Sequence, residues 1–255
     1  MSTMPKKRRV LLTGAAGRIG VAVTDRLSER WDIVATDIAG SGCQELDVTD
    51  ASACRFAFAE VDAVVHLAGV PSPDAEWDDL LPGNVIGAHN VASAAMALRT
   101  RRLVLASSLQ AVSAYPADFQ VRAGDPPRPA NLYGATKAWA EAIGSWATSV
   151  SPIEVVAMRI GYFAEEPPTG PDVTARDLGA WLSPEDCAEL VRASVEGPVE
   201  GFTVVNGISA NRYRKASYSD AETQLGYRPS DDVWVSLKNT RSGARQGIPT
   251  EHTRP

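Results

Sequence analysis

Apolar and polar positions along the chain follow two alternating rhythms. Short apolar runs ending in glycine or a polar residue occur at 9–14 (RVLLTG), 32–37 (DIVATD), 62–69 (DAVVHLAG), 102–108 (RLVLASS), 153–161 (IEVVAMRIG) and 201–207 (GFTVVNG). Between them lie segments whose apolar residues recur at helical spacing: 18–30, 52–60, the alanine-rich stretches 81–99 and 133–149, and 183–196. The runs are nearly continuous in apolar residues, as expected of strands buried on both faces. Strand-like runs alternating with helices predict right-handed βαβ units, and so an α/β fold with a doubly wound parallel sheet. From about residue 162 the rhythm loosens, with a loop over 165–173 (EEPPTGPDV). This suggests a main layer over 1–161, a small portion over 162–238 and a polar tail over 239–255.

The first strand-to-helix turn reads LLTGAAGRIG and places Gly14, Gly17 and Gly20 at three-residue spacing. There the first glycine permits a tight turn, the second lets backbone approach a pyrophosphate, and the third lets the helix pack on the sheet. The phosphates then meet free N–H groups at the positive end of a helix dipole. Asp37 ends the second strand, where a carboxylate accepts the adenosine ribose hydroxyls and repels a 2′-phosphate, which favours NAD over NADP. Arg18, inside the loop, can touch the phosphates, and Asp47-Val48 can sit at the adenine ring. The loop makes 1–161 a dinucleotide-binding layer and leaves 162–238 to hold the substrate.

Farther along, YGATK sets Tyr133 and Lys137 one helical turn apart on a shared face. A lysine ammonium beside a phenol favours the phenolate, which can exchange a proton with a substrate hydroxyl. Ser107 and Ser108 end the preceding strand, and of the two Ser108 is the candidate for the reacting centre.

These residues resemble the short-chain dehydrogenase/reductase superfamily in its extended branch. The resemblance rests on Gly14, Gly17 and Gly20, Asp37, the run His66-Leu67-Ala68-Gly69, Asn84, Ser108, and Tyr133 with Lys137. It implies a Rossmann-type fold binding NAD, with Tyr133 as acid/base, Lys137 on the nicotinamide ribose and Ser108 orienting the reacting oxygen. It also implies cofactor contacts at Ile19, Leu67, Ala68, Gly69, Asn84 and Ile160.

The segments LYGATKAWAE, VVAMRIG, ARDLGAWLSPEDCAELV, VVNGISAN and LGYRPSDDV are similar to uronate dehydrogenases. Those enzymes oxidise the anomeric carbon of a uronic acid with NAD. That resemblance implies Arg176 as the grip on a substrate carboxylate, which a planar guanidinium matches in two hydrogen bonds. It also matches Ser72, in VPSPDAEW, to a substrate-contacting serine. The chain departs from the pattern at Leu109 and Gln110, which stand where the uronate enzymes carry asparagine and histidine. Leucine cannot hydrogen-bond a sugar hydroxyl, so the substrate class is open while the hydride chemistry is not. The competing readings are a sugar epimerase working through a keto intermediate and a non-catalytic NAD-binding sensor.

Composition narrows the partners. The net charge of −6 speaks against nucleic acid or an anionic membrane as the partner, despite the basic run Lys6-Lys7-Arg8-Arg9. No apolar stretch approaches the length of a membrane helix. Three scattered cysteines form no metal-ligating spacing and fit a reducing cytoplasm. The expected partners are therefore a small sugar or sugar acid and, through the alanine-rich helices, further copies of the chain as a homo-oligomer.

Overall fold

Val10, Leu11 and Leu12 are all buried, although neighbours on a strand point to opposite faces. Both faces must therefore be covered, and the surrounding elements supply that cover. The computed structural model describes residues 7–238; the tail expected from Asn239 lies outside the described residues. The strands are β1 (Arg9–Thr13), β2 (Asp32–Asp37), β3 (Gln44–Glu45), β4 (Ala63–His66), β5 (Arg102–Ser108), β6 (Glu154–Ile160), β7 (Tyr162–Phe163), β8 (Trp181–Leu182) and β9 (Phe202–Gly207). Seven form one sheet in the order β3-β2-β1-β4-β5-β6-β9, parallel throughout, while β7 and β8 pair separately.

Val10 and Leu12 face α1 (Arg18–Leu27), α7 (Pro184–Glu196) and α8 (Ser219–Leu225), in a core that includes Val23, Leu27, Leu190, Val191 and Leu225. Leu11 joins Val64, Leu103 and Leu105 in the other core, under α2 (Ala51–Ala57), α4 (Ala88–Ala97) and α5 (Leu132–Val150), with Val91, Ala95 and Ile143. Small α3 (Trp77–Leu80) and α6 (Ala175–Gly179) lie near the carboxyl ends of the strands. The chain builds outward from β1 in one direction, then returns to build outward from β4 in the other. Where the strand order reverses, helices leave on opposite faces and a crevice opens at the carboxyl ends.

One expectation changes. The helix read over 81–99 is preceded by α3 and opens with a π-helical stretch, Leu81–Gly87, before α4 begins. Such stretches occur often at functional sites, and this one carries Asn84. Within 162–238, β9 completes the main sheet against β6, and α7 packs in the core with α1. Of the basic run, Lys7 donates to the Ser28 carbonyl and Arg8 to that of Val195, so these residues anchor the start of the fold.

Candidate active site

The crevice is a cleft of about 1250 Å³, lined by the glycine loop, the ends of β4, β5 and β6, and α6. That exceeds the usual volume for one small ligand and suits a dinucleotide with a second molecule. Gly14 has φ +72°, and a Cβ there would lie 2.6 Å from the Ala68 nitrogen. A Cβ on Gly20 would overlap the Gly14 carbonyl and Ala15. The loop therefore tolerates only glycine at both positions. Asp50, Asn131 and Ser183 cap α2, α5 and α7 with their side chains. By contrast α1 starts at Gly17 with no side-chain cap, and its first N–H groups, on Arg18, Ile19 and Gly20, lie at the cleft. A pyrophosphate fits that set of donors and the backbone cradle beside it.

Asp37 braces the same loop. Its carboxylate accepts from the Ala16 and Ile38 N–H groups, each at 2.8 Å, and the residue lines the cleft with acceptor capacity left over. Arg18 reaches across the cleft, donating to the Phe163 carbonyl at 3.3 Å with its guanidinium 5.5 Å from the Phe163 ring. Asp47 is exposed at the rim, with one oxygen engaged by Thr49, and Val48 is buried beside it. Leu67, Ala68, Gly69 and Ile160 line the cleft as expected residues of the strand ends.

Two expected contacts stand elsewhere. Asn84 does not line the cleft; its amide pairs with both the N–H and the carbonyl of Val70 and donates to Thr136. It supports the wall from behind. Ser72 is likewise off the cleft, its hydroxyl accepting from the Asp74 N–H in a tight turn.

Ser108, Tyr133 and Lys137 come together at the inner end. Ser108 closes β5 and accepts from the Gln110 N–H at 3.1 Å, and its hydroxyl lies near enough to the Tyr133 phenol to lower it. Asn131 starts α5 by accepting from the Gly134 N–H at 2.7 Å, which fixes the turn bearing Tyr133. Lys137 donates to the Ala106 carbonyl at 2.9 Å, and its ammonium lies 5.6 Å from the Tyr133 ring centroid. Burial pushes the Tyr133 phenol up, against the lowering effect of Ser108, and pushes Lys137 down to about 8. The ammonium was expected to lower the phenol; here burial raises it, opposed by Ser108. His66, paired with the Thr13 hydroxyl, is pushed to about 3 by burial and by the charge of Lys137, and stays neutral.

Glu141 follows Tyr133 and Lys137 on the same face of α5, at the next turn. It accepts from Ser107 at 2.6 Å and takes both arms of Arg159 at 2.8 and 2.9 Å. Arg159 also donates to the carbonyls of Ala123 and Asp125. This buried network ties the helix bearing Tyr133 to β5, β6 and the loop beside the cleft. The spacing from Lys137 was the only local signal for it.

At the outer end Leu109 packs against Val112 and Val121, so that wall is apolar. The Gln110 side chain accepts from Asn131, which orients it away from free rotation. Arg176, at the start of α6, does line the cleft, with one N–H donated to the Ser113 carbonyl at 3.3 Å. Lys215 lines the cleft as well, and nothing in its local sequence marked it.

Residues 10–163 match the model of the NAD dependent epimerase/dehydratase family. The chain is 34% identical to an NAD-dependent glucose-6-phosphate dehydrogenase of Haloferax volcanii, over 88% of this chain and 93% of the relative. It is 35% identical to an L-arabinose 1-dehydrogenase (NAD(P)(+)) of the same organism, over 88% and 97%. Among solved structures it resembles a variant of uronate dehydrogenase from Agrobacterium tumefaciens complexed with NAD. That match has a TM-score of 0.80 and 29% identity, and covers 97% of this chain and 92% of the other.

Proposed function

The chain belongs to the NAD dependent epimerase/dehydratase family, and on that premise we propose that it is an NAD-dependent dehydrogenase of sugars or sugar acids, oxidising the anomeric carbon. The observation that carries this is the Ser108–Tyr133–Lys137 set at the inner end of a glycine-cradled cleft. The names of the relatives support net oxidation over epimerisation.

In this reading Gly14, Gly17, Gly20 and the head of α1 hold the pyrophosphate, and Asp37 takes the ribose hydroxyls. Bound NAD supplies the hydride acceptor. The anomeric hydroxyl donates to Tyr133 and is steadied by Ser108. Tyr133, as phenolate, takes the hydroxyl proton while the C–H hydrogen leaves as hydride and the C–O bond becomes a carbonyl, giving a lactone from a pyranose. The positive charge of Lys137 beside the ring favours the phenolate. Burial around Tyr133 and Lys137 keeps competing water from the transfer. Arg176 holds an anionic group on the far side of the sugar.

Tyr133→Phe tests the reading. It should lower kcat by about 100-fold or more, the usual weight of a general base, and leave NAD binding by fluorescence titration unchanged. Turnover near the wild-type rate would remove Tyr133 from the chemistry.

Cys54 and Cys187 are buried and Cys43 is partly buried, all free thiols, which supports a reducing cytoplasmic setting. No helix among the described residues is long and apolar enough to cross a membrane. Trp139, Trp146 and Leu132 on α5 are exposed, with Ile86 from the neighbouring π-helical stretch, which supports self-association through this face.

A further inference from the structure

Arg176 and Lys215 arrive from distant parts of the chain and are fixed to one another through two routes. The Lys215 N–H bonds the Gly179 carbonyl at the end of the helix that carries Arg176. Both side chains also grip one loop: Arg176 donates to the Ser113 carbonyl, and Lys215 donates to the carbonyls of Pro116 at 2.7 Å and Phe119 at 3.0 Å. Lys215 is only 8% exposed, yet it lines the cleft. A buried ammonium is costly without an anionic partner. Asp118, on the gripped loop, acts on the ammonium through its charge but forms no ion pair with it, and the carboxylate of Asp177 is taken up by Thr174, whose N–H and hydroxyl it accepts at 3.0 and 2.6 Å. Across the cleft, Leu109, Val112 and Val121 offer no polar group from their side chains.

Donor accounting distinguishes the anions that could fill this end. An ammonium has three N–H groups, and two of those on Lys215 are spent on carbonyls. A guanidinium has five, and one of those on Arg176 is spent. The fork of Arg176 can pair with both oxygens of a carboxylate, which leaves the last N–H of Lys215 without an acceptor. A phosphate monoester brings a third terminal oxygen and a second negative charge. We infer that Arg176 and Lys215 form a subsite for the phosphate of a phosphorylated sugar, with Lys215 the residue that separates such a substrate from a uronate or a neutral sugar. The inference rests on the dehydrogenase reading above. Burial and the charge of Arg176 push the Lys215 ammonium down from its ordinary value, and the charge of Asp118 only partly opposes them, so a dianion in the cleft would favour the charged form.

The test is NADH formation from glucose 6-phosphate, glucuronate and glucose, in the wild type and in Lys215→Met and Lys215→Arg. The wild type should favour glucose 6-phosphate in kcat/KM over both others by about tenfold or more, the weight of one charge-assisted hydrogen bond. Lys215→Met should erase most of that ratio, and Lys215→Arg should keep it. Loss of the carbonyl anchors alone would lower all three substrates together, so the ratio separates recognition from folding. An unchanged ratio in Lys215→Met, or a wild type that prefers glucuronate, overturns the subsite. NADH from glucose alone, abolished by Tyr133→Phe, overturns it while the dehydrogenase reading stands. No NADH from any sugar overturns both.

Discussion

Glu141 and Arg159 are 5% and 2% exposed, and their two short bonds replace the water that each charge has lost. Replacing Glu141 with Gln keeps the shape but leaves a buried guanidinium facing a neutral amide. Breaking one side of such a pair costs about 3–5 kcal/mol, because the remaining charge is uncompensated. For a chain of this size each kcal/mol moves Tm by about 2–4 °C, so Glu141→Gln should melt roughly 10 °C lower. The double variant Glu141→Leu with Arg159→Met removes both charges and should cost less than the single change, since desolvation of the pair is no longer needed. It still strips the Ala123 and Asp125 carbonyls of their donor, so full recovery is not expected. Urea unfolding followed by tryptophan fluorescence gives both values. The argument is refuted if Glu141→Gln costs under about 1 kcal/mol, the range of an exposed pair. It also fails if the double variant is less stable than Glu141→Gln.

Other outcomes follow from the same geometry. With Asp37 on the adenosine ribose, as proposed, Asp37→Ser would remove the charge that repels a 2′-phosphate, so kcat/KM with NADP relative to NAD should rise about tenfold or more; a fixed ratio would take Asp37 off the ribose. His66 is held near 3 against an ordinary 6.5, so across that window the unfolded chain binds a proton that the native chain refuses. Stability should therefore fall as pH drops from 6.5 toward 3, with a slope approaching ~1.4 kcal/mol per pH unit from this group. His66→Gln should flatten that limb in urea titrations at successive pH values, and an unaltered limb would assign the acid sensitivity to other groups.

The sequence by itself determined the layers and the chemistry. Continuous apolar runs required strands covered on both faces, and the runs came in an order that permits only crossover connections. Gly14, Gly17 and Gly20, with Tyr133 and Lys137, were legible because each set lies within one turn or helix, where spacing dictates geometry. The tertiary structure alone decided what depends on distant segments meeting. It carried β9 across to close the sheet and turned Asn84 onto Val70, behind the cleft wall. It also buried Tyr133 deeply enough to raise its phenol against the effect of Ser108. Lys215 reached Arg176 through a backbone bond to Gly179, a pairing that no local pattern encodes. Spacing along the chain fixes which groups share a helix face; only packing fixes which charges share a pocket, and so which substrate the pocket selects.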